Sequence, residues 1–404
     1  MKIENGSHLT YCTNIHSGEA WQEVFANLEK YVLELKARLA PNKPFGIGLR
    51  SSDVAARELL EADNLTNFQK WLTQKDLYIF TLNGFPYGGF HNQVVKDQVY
   101  APDWSQQERL DYTLRLVKIL AALLPQDMDG GISTVPLSYK PWLRDAASKE
   151  SVLRAGSIHL AMVAAEMIRI REETGKLLHI DLEPEPDGLI ENTAEVIDFF
   201  QNWLLPLGGN HLAQILGISQ ELAEAHLLNH VRICYDTCHF ALEYEDPAAV
   251  FANFQGAGIK IGKIQISAAV RVNLPDNTEK RQIIAERLRP FAESTYLHQV
   301  IERHADGTLH HYPDLVTALP YLENSTAQEW RTHFHVPIFI HDYNLLQSTQ
   351  DDIVKVLDLL RMNDACKHLE IETYTWDVLP PEMKIDLLAS IQREYEWVLA
   401  TATT

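Results

Sequence analysis

Basic residues are scarce in this chain, with 35 Lys and Arg against 55 Asp and Glu and a net charge of −20. Such a field repels phosphate backbones and anionic lipid surfaces, so nucleic acid is not an expected partner. Cysteine is scarce too. Cys12, Cys234, Cys238 and Cys366 are too few and too scattered for a disulfide scaffold, and Cys234 and Cys238 lack the paired CxxC of a structural zinc site, so reduced thiols in a cytoplasm are expected. No run of about 18 apolar residues occurs, and no apolar segment follows a basic start near Met1, so neither a spanning helix nor a secretion signal is expected. What remains, 46% apolar and 9% aromatic residues over 404 positions, excludes disordered, collagen-like and mini-protein classes.

Short apolar or β-branched runs alternate with longer amphipathic segments, the pattern of βα units around a parallel sheet. Nine candidate strands fall at 9–14, 45–50, 77–82, 131–135, 178–183, 231–236, 260–267, 336–341 and 368–373. Helical periodicity fills 20–39, 107–124, 152–174, 193–204, 246–254 and 351–362. This predicts a (β/α)8 TIM barrel, read as one domain over 1–404 with an inserted segment at about 272–332 before the last strand or strands. An eight-stranded barrel holds only eight of the nine runs, so one is misread or belongs to the insertion. An open doubly wound sheet is the rival architecture; against it, no GxGxxG follows the first strand and no Walker sequence is found.

Barrel chemistry collects at the carboxyl ends of the strands. There the sequence places Glu183 before Pro184, Asp236 three residues before His239, and Glu372 in Leu369-Glu370-Ile371-Glu372. Single carboxylates at strand ends are often solvated or cap helices. Three converging on one mouth would repel each other without a cation, so a divalent metal (Mn, Co, Zn, Mg or Fe) is the expected cofactor. Asn14 and His16 follow the first strand and could orient a polyol, although His16 reads equally well as a buried, hydrogen-bonded histidine. The stretch 83–91, with Phe85, Tyr87 and Phe90, is too aromatic for a mere turn and suits either a sugar face or lid packing; Tyr374 and Trp376 carry the same two readings. His298, His304, His310 and His311 match no ligand spacing and are read as surface residues, and Glu185 with Asp187 as a solvated loop, with Glu185 as a substitute ligand for Glu183 the lesser reading.

Glu183 before proline, Asp236-Thr237-x-His239, Gln265 with Arg271 six residues on, and the terminal Glu372 resemble the xylose isomerase-like TIM barrels of sugar epimerases over roughly residues 130 to 380. The strings Thr10-Tyr11-Cys12-Thr13-Asn14-Ile15-His16, Asn83-Gly84-Phe85-Pro86-Tyr87-Gly88, His333-Phe334-His335-Val336-Pro337 and Glu372-Thr373-Tyr374-Thr375-Trp376 resemble the EboE-type metabolite traffic proteins of that superfamily. The resemblance implies a metal held by Glu183, Asp236, a third ligand and Glu372. Where a histidine is expected on the seventh strand this chain has Gln265, so the third ligand is either that amide or an imidazole of His333 or His335. It also implies Glu183 and Glu372 as the acid–base pair, His239 on a substrate oxygen, and Arg271 on a hydroxyl or phosphate. Asn14, His16, Tyr87, Trp376 and His333 complete the expected substrate contacts.

Two functions follow. The first is a metal-dependent isomerase or epimerase of a small polyhydroxylated metabolite, a sugar or cyclitol or its phosphate, moving a proton beside a carbonyl. The second is a metabolite-binding or trafficking protein that keeps the barrel without the chemistry. A phosphodiesterase of the endonuclease branch is disfavoured by the charge of −20 and the shortage of histidine ligands. The EboE-type resemblance further implies partners among the products of one gene cluster.

Overall fold

The structure, a computed structural model, describes residues 1–3, 6–91, 93–343, 345–379 and 386–403. Seven strands come first: β1 (His8–Tyr11), β2 (Phe45–Arg50), β3 (Leu77–Asn83), β4 (Gly130–Thr134), β5 (Leu178–Leu182), β6 (Val231–Asp236) and β7 (Ile261–Ile266). Six short strands follow, β8 (Val270–Asn273), β9 (Val300–Arg303), β10 (Leu309–Tyr312), β11 (Glu329–Thr332), β12 (Asp342–Tyr343) and β13 (Leu346–Ser348), and then β14 (His368–Ile371). β2 to β7 pair in parallel in chain order, and β14 lies between β7 and β1. This is a (β/α)8 barrel. Its seam, between β1 and β2, is joined by a single Cys12–Gly48 bridge and by threonine hydroxyls: Gly48 N donates to Thr10 Oγ1 at 2.8 Å and Arg50 N to Thr13 Oγ1 at 2.8 Å.

Alternation along each strand sends one set of side chains outward and the other inward. On β5 the apolar Leu178, Ile180 and Leu182 alternate with His179 and Asp181, and all are buried. The outward set meets a ring of helices. The longest, Ala146–Thr174, starts at an Asp145–Ser148 capping box and stops at Gly175, whose φ of 78° is the left-handed conformation glycine adopts without strain. By length and apolar composition it alone among the described residues could cross a membrane, but Leu160, Val163, Ala164 and Met167 are buried in the packing.

The barrel interior is unusually polar. Lys263 Nζ donates to Glu370 Oε2 at 2.7 Å, with both side chains fully buried. Glycine makes the room: a Cβ at Gly48 would lie 1.8 Å from Glu370 Oε1, and one at Gly262 would lie 1.9 Å from Asp181 Oδ1.

The eighth of the nine expected strands, 336–341, is not a strand. Val336 and Ile338 are buried there, but Pro337 has no N–H for a ladder, so the apolar run reflects burial alone. The inserted segment expected at about 272–332 holds three whole strands and the end of a fourth, and β8 to β13 form one antiparallel sheet in the order β10-β9-β11-β8-β13-β12. That sheet runs from Val270 to Ser348, wider on both sides than the sequence suggested. Backbone bonds tie it to the turn after β7: Val336 N donates to Ala268 O at 2.9 Å, and Thr349 N to Ala269 O at 3.0 Å.

Candidate metal and substrate site

The carboxyl ends of the strands converge on a small cavity of about 60 Å³ lined by Asn14, Asn83, Glu183, Glu185, His239, His333 and Glu372, with Phe85, Phe90, Tyr100, Tyr296 and Tyr374 as apolar walls. Each acid is fixed by local structure. Glu183 directly follows β5, its N–H bonded to Thr134 O at 3.0 Å, and Pro184 stops the ladder. Asp236 ends β6 and caps the next helix: Oδ1 accepts from Cys238 N (2.7 Å), His239 N (3.1 Å) and Ser267 Oγ (2.6 Å). That one-turn helix carries His239 over the mouth. Glu372 follows β14, and its Oε1 accepts from Asn14 Nδ2 at 2.9 Å and Asn83 Nδ2 at 3.1 Å.

Two further imidazoles arrive from the second sheet, just after β11. His335 Nδ1 donates to the carbonyl of Glu372 at 2.7 Å, which leaves Nε2 as the ring's lone pair. Gln299 donates from Nε2 to Pro186 O at 3.1 Å and so presents its Oε1 to His333 Nδ1 at 2.9 Å. The His333 lone pair is therefore also on Nε2, which faces His239 Nε2 at 3.2 Å. His239 lies 3.9 Å from both Glu183 and Glu185 and 4.0 Å from Asp236.

Burial, reinforced by neighbouring carboxylates, pushes the carboxyls of Glu183, Glu185 and Glu372 well above their usual range. Burial, with the other imidazoles nearby, pulls His239 and His333 well below the ordinary histidine value, and burial also lowers His335. Glu183 Oε2, Asp236 Oδ2, Gln265 Oε1 and His335 Nε2 are buried with no hydrogen-bond partner among the described residues. Unmade buried bonds cost about 1–3 kcal/mol each. Asp236, His239 and His335 offer ligand atoms all within 4.8 Å of one another, as do Glu185, His239 and His333. Orphaned carboxylate oxygens beside imidazole lone pairs are the donor set of a divalent cation, and these residues fit one.

Of the residues singled out in the sequence, Asn14, Glu183, His239, His333 and Glu372 line the cavity. Asp236 and His335 lie beside His239, and Gln265 stands next to Asp236 in the β6–β7 register, its amide fully buried. Four expected substrate contacts lie elsewhere. Arg271, in β8, meets Asp351 at 3.3 Å and His341 at 3.4 Å, so it is bound up in the second sheet. His16 bonds Tyr11 Oη at 2.9 Å and stacks on Tyr31, the buried alternative considered for it. Tyr87 Oη donates to Asp53 Oδ2 at 2.9 Å, and its neighbours Phe85 and Phe90 line the cavity instead. Trp376 is buried and takes no part in the lining, which Tyr374 supplies.

Two further expectations are corrected. Glu185 is 6% exposed and lines the cavity together with Glu183, so it is no solvated loop residue. His298 is 1% exposed, bonded to His333 O and Glu293 Oε1, and so is no surface histidine. Asn83 and Gln299 were missed. Asn83 is signalled as an amide at the end of a strand and as the head of the string Asn83-Gly84-Phe85-Pro86-Tyr87-Gly88, and nothing in the sequence around Gln299 marks it.

No described protein family matches the chain, and no curated protein does. Solved structures do. The chain is similar to the IolI protein with a bound zinc atom (11% identity, 98% of both chains, TM-score 0.48). It is also similar to a xylose isomerase-like TIM barrel protein from Mycobacterium smegmatis in complex with magnesium (11%, 98% of this chain and 96% of the other, TM-score 0.48). A third is a protein from Anabaena variabilis described as a candidate sugar phosphate isomerase/epimerase (11%, 98% of both chains, TM-score 0.49). Each is a likeness of overall architecture, and the barrel itself rests on the strand order given above.

Proposed function

We propose that the protein is a divalent-metal-dependent isomerase or epimerase of small polyhydroxylated carbonyl compounds, such as sugars, cyclitols or their phosphates. The observation that carries this reading is the cluster of buried carboxylates and imidazoles at the carboxyl ends of the strands, with unbonded atoms on Glu183, Asp236, Gln265 and His335, beside a cavity lined by Glu183, His239 and Glu372. Glu183, Asp236 and Glu372, with Gln265 or His335 as the remaining ligand, would hold the cation. When bound, it supplies polarisation of the substrate carbonyl and stabilisation of the negative charge that develops on substrate oxygens. Glu183 and Glu372 take a proton from carbon and return it. Asn14 and Asn83 fix Glu372 for that transfer, His239 and His333 bind substrate oxygens, and Phe85, Phe90 and Tyr374 exclude water.

The same proposal takes the protein to be cytoplasmic, in keeping with four cysteines that are free and buried. The finer kinship with EboE-type proteins, and partners from one gene cluster, belong to it as well; of the strings that suggest it, Asn14, Asn83, His335 and Glu372 are at the site. The test is hydrogen exchange from deuterated water into keto sugars and cyclitol ketones by the metal-loaded protein. Exchange that falls by roughly 100-fold or more in Glu372→Gln supports the reading. Tight ligand binding without exchange in any of these compounds overturns it in favour of a metabolite-binding barrel.

A further inference from the structure

The opposite end of the barrel holds a second cluster that the proposed chemistry does not use. His179, second residue of β5, and His368, first residue of β14, point into the barrel floor with their rings stacked at 5.5 Å between centroids. Asp129, just before β4, meets both: Oδ2 lies 3.6 Å from His179 Nε2, and Oδ1 lies 3.2 Å from His368 Nε2. Both contacts are at ion-pair distance, and neither Nε2 makes a further hydrogen bond among the described residues although the side chains are at most 2% exposed.

The tautomers sharpen the point. Asp181 Oδ1 lies 2.6 Å from His179 Nδ1, which holds a proton on that nitrogen and leaves Nε2 facing Asp129. In a neutral ring Nε2 turns its lone pair to that carboxylate, and a cation between the two, a proton or a metal ion, makes the contact attractive. Carboxylate behind imidazole is also the outer-shell arrangement of metal-bound histidine. Room for the pair is built in, since a Cβ at Gly131 would lie 2.3 Å from Asp181 Oδ2 and 2.5 Å from His179 Cε1. Arg232 holds Asp129 Oδ2 at 3.0 Å, leaving Oδ1 for an ion.

We propose that Asp129, His179 and His368 form a metal site for a Zn²⁺-class ion that ties the amino-terminal ends of β4, β5 and β14 together. The three ligand atoms lie within 4.8 Å of one another. Tetrahedral zinc with bonds near 2.0–2.1 Å needs ligand separations of roughly 3.3 Å, which the 3.2 Å between Asp129 Oδ1 and His368 Nε2 already meets, and His179 Nε2 would close on the ion from within those 4.8 Å. Asp129 and His368 also line a cavity of about 530 Å³ that gives an ion its entry and leaves space for a solvent ligand. Because β14 lies across the barrel from β4 in the strand order, an ion held by Asp129 and His368 would cross-link opposite sides of the barrel floor.

The test is zinc binding to the chelator-treated full-length chain carrying Asp236→Ala, which removes a ligand of the upper site, read by calorimetry and by anomalous scattering at the zinc edge. The expected result is one zinc per chain, an anomalous peak between the two Nε2 atoms and a higher melting temperature with zinc. All three are lost on adding Asp129→Asn, a change at a partly exposed loop residue that leaves the barrel core intact. Asp181→Asn should keep the equivalent but weaken it roughly 10–100-fold. No zinc uptake in the Asp236→Ala chain, or uptake unaffected by Asp129→Asn, overturns the proposal, and neither result bears on proton transfer at the upper site.

Discussion

The most informative single contact is the one that Glu372 makes with Asn14 and Asn83, because it converts a buried acid into an aimed one. Hydrogen bonds to a charged group contribute about 1.5–3 kcal/mol, so Asn83→Ala should slow turnover roughly 10–100-fold in the chain that remains folded, beside a lowered melting temperature from the lost buried bonds to Glu372 and the Phe85 N–H. Activity measured beside a thermal melt checks this; a loss of folding without a selective loss of rate would make Asn83 a packing residue. At this scale the sequence is readable where a rule of position applies. Glu183, Asp236 and Glu372 stand at or just past strand ends, and strand-end acids in a barrel meet at one mouth. Arg271 and Tyr87 follow strands just as closely, yet Asp351 and Asp53 draw them aside, and spacing along the chain carries no trace of either partner.

Among the elements, the barrel strands were legible because alternation of apolar runs with amphipathic helices is a long-range pattern that repeats. The inserted strands were not. β9, β10 and β11 have four residues each, several of them charged, and a short charged strand looks like a loop. The segment 336–341 is the reverse case, an apolar run that is buried without forming a ladder. The barrel interior supplies a prediction of its own. Gly48 of β2 is required by the Lys263–Glu370 pair, since a methyl group there would collide with Glu370. Displacing one member of a buried pair costs roughly 3–5 kcal/mol, so Gly48→Ala should lower unfolding stability by about that amount in urea titrations. A change below about 1 kcal/mol would mean that the pair relocates freely.

For the molecule as a whole, the clearest pH dependence comes from Glu394 on the helix Leu387–Thr403. It is fully buried against Thr373 Oγ1 and the Ile338 amide, and burial pushes its carboxyl up to about 8. An unfolded glutamate releases its proton near 4.5, so between these values the folded chain holds a proton that the unfolded chain has lost. Stability therefore falls as pH rises through that interval. The melting temperature should decline from about pH 5 to about pH 8, and Glu394→Gln should flatten the decline while leaving the acid end unchanged. An unaltered slope in the variant would assign the dependence to other groups, with Glu243, whose burial raises it to about 9, the next to substitute.

The strand order also sets a timetable. β14 is the partner of both β1 and β7, and His8 pairs with His368, 368 − 8 = 360 positions later. During synthesis β1 and β7 wait with unpaired edges while the whole second sheet is made between them, and only when residue 371 has emerged can the ring shut. Long closures of this kind are slow, and open edges invite pairing with other chains. The nascent protein is thus most exposed to aggregation in its last stage, and a chain truncated before β14 would lack the barrel, Glu372 and the floor histidine in a single stroke.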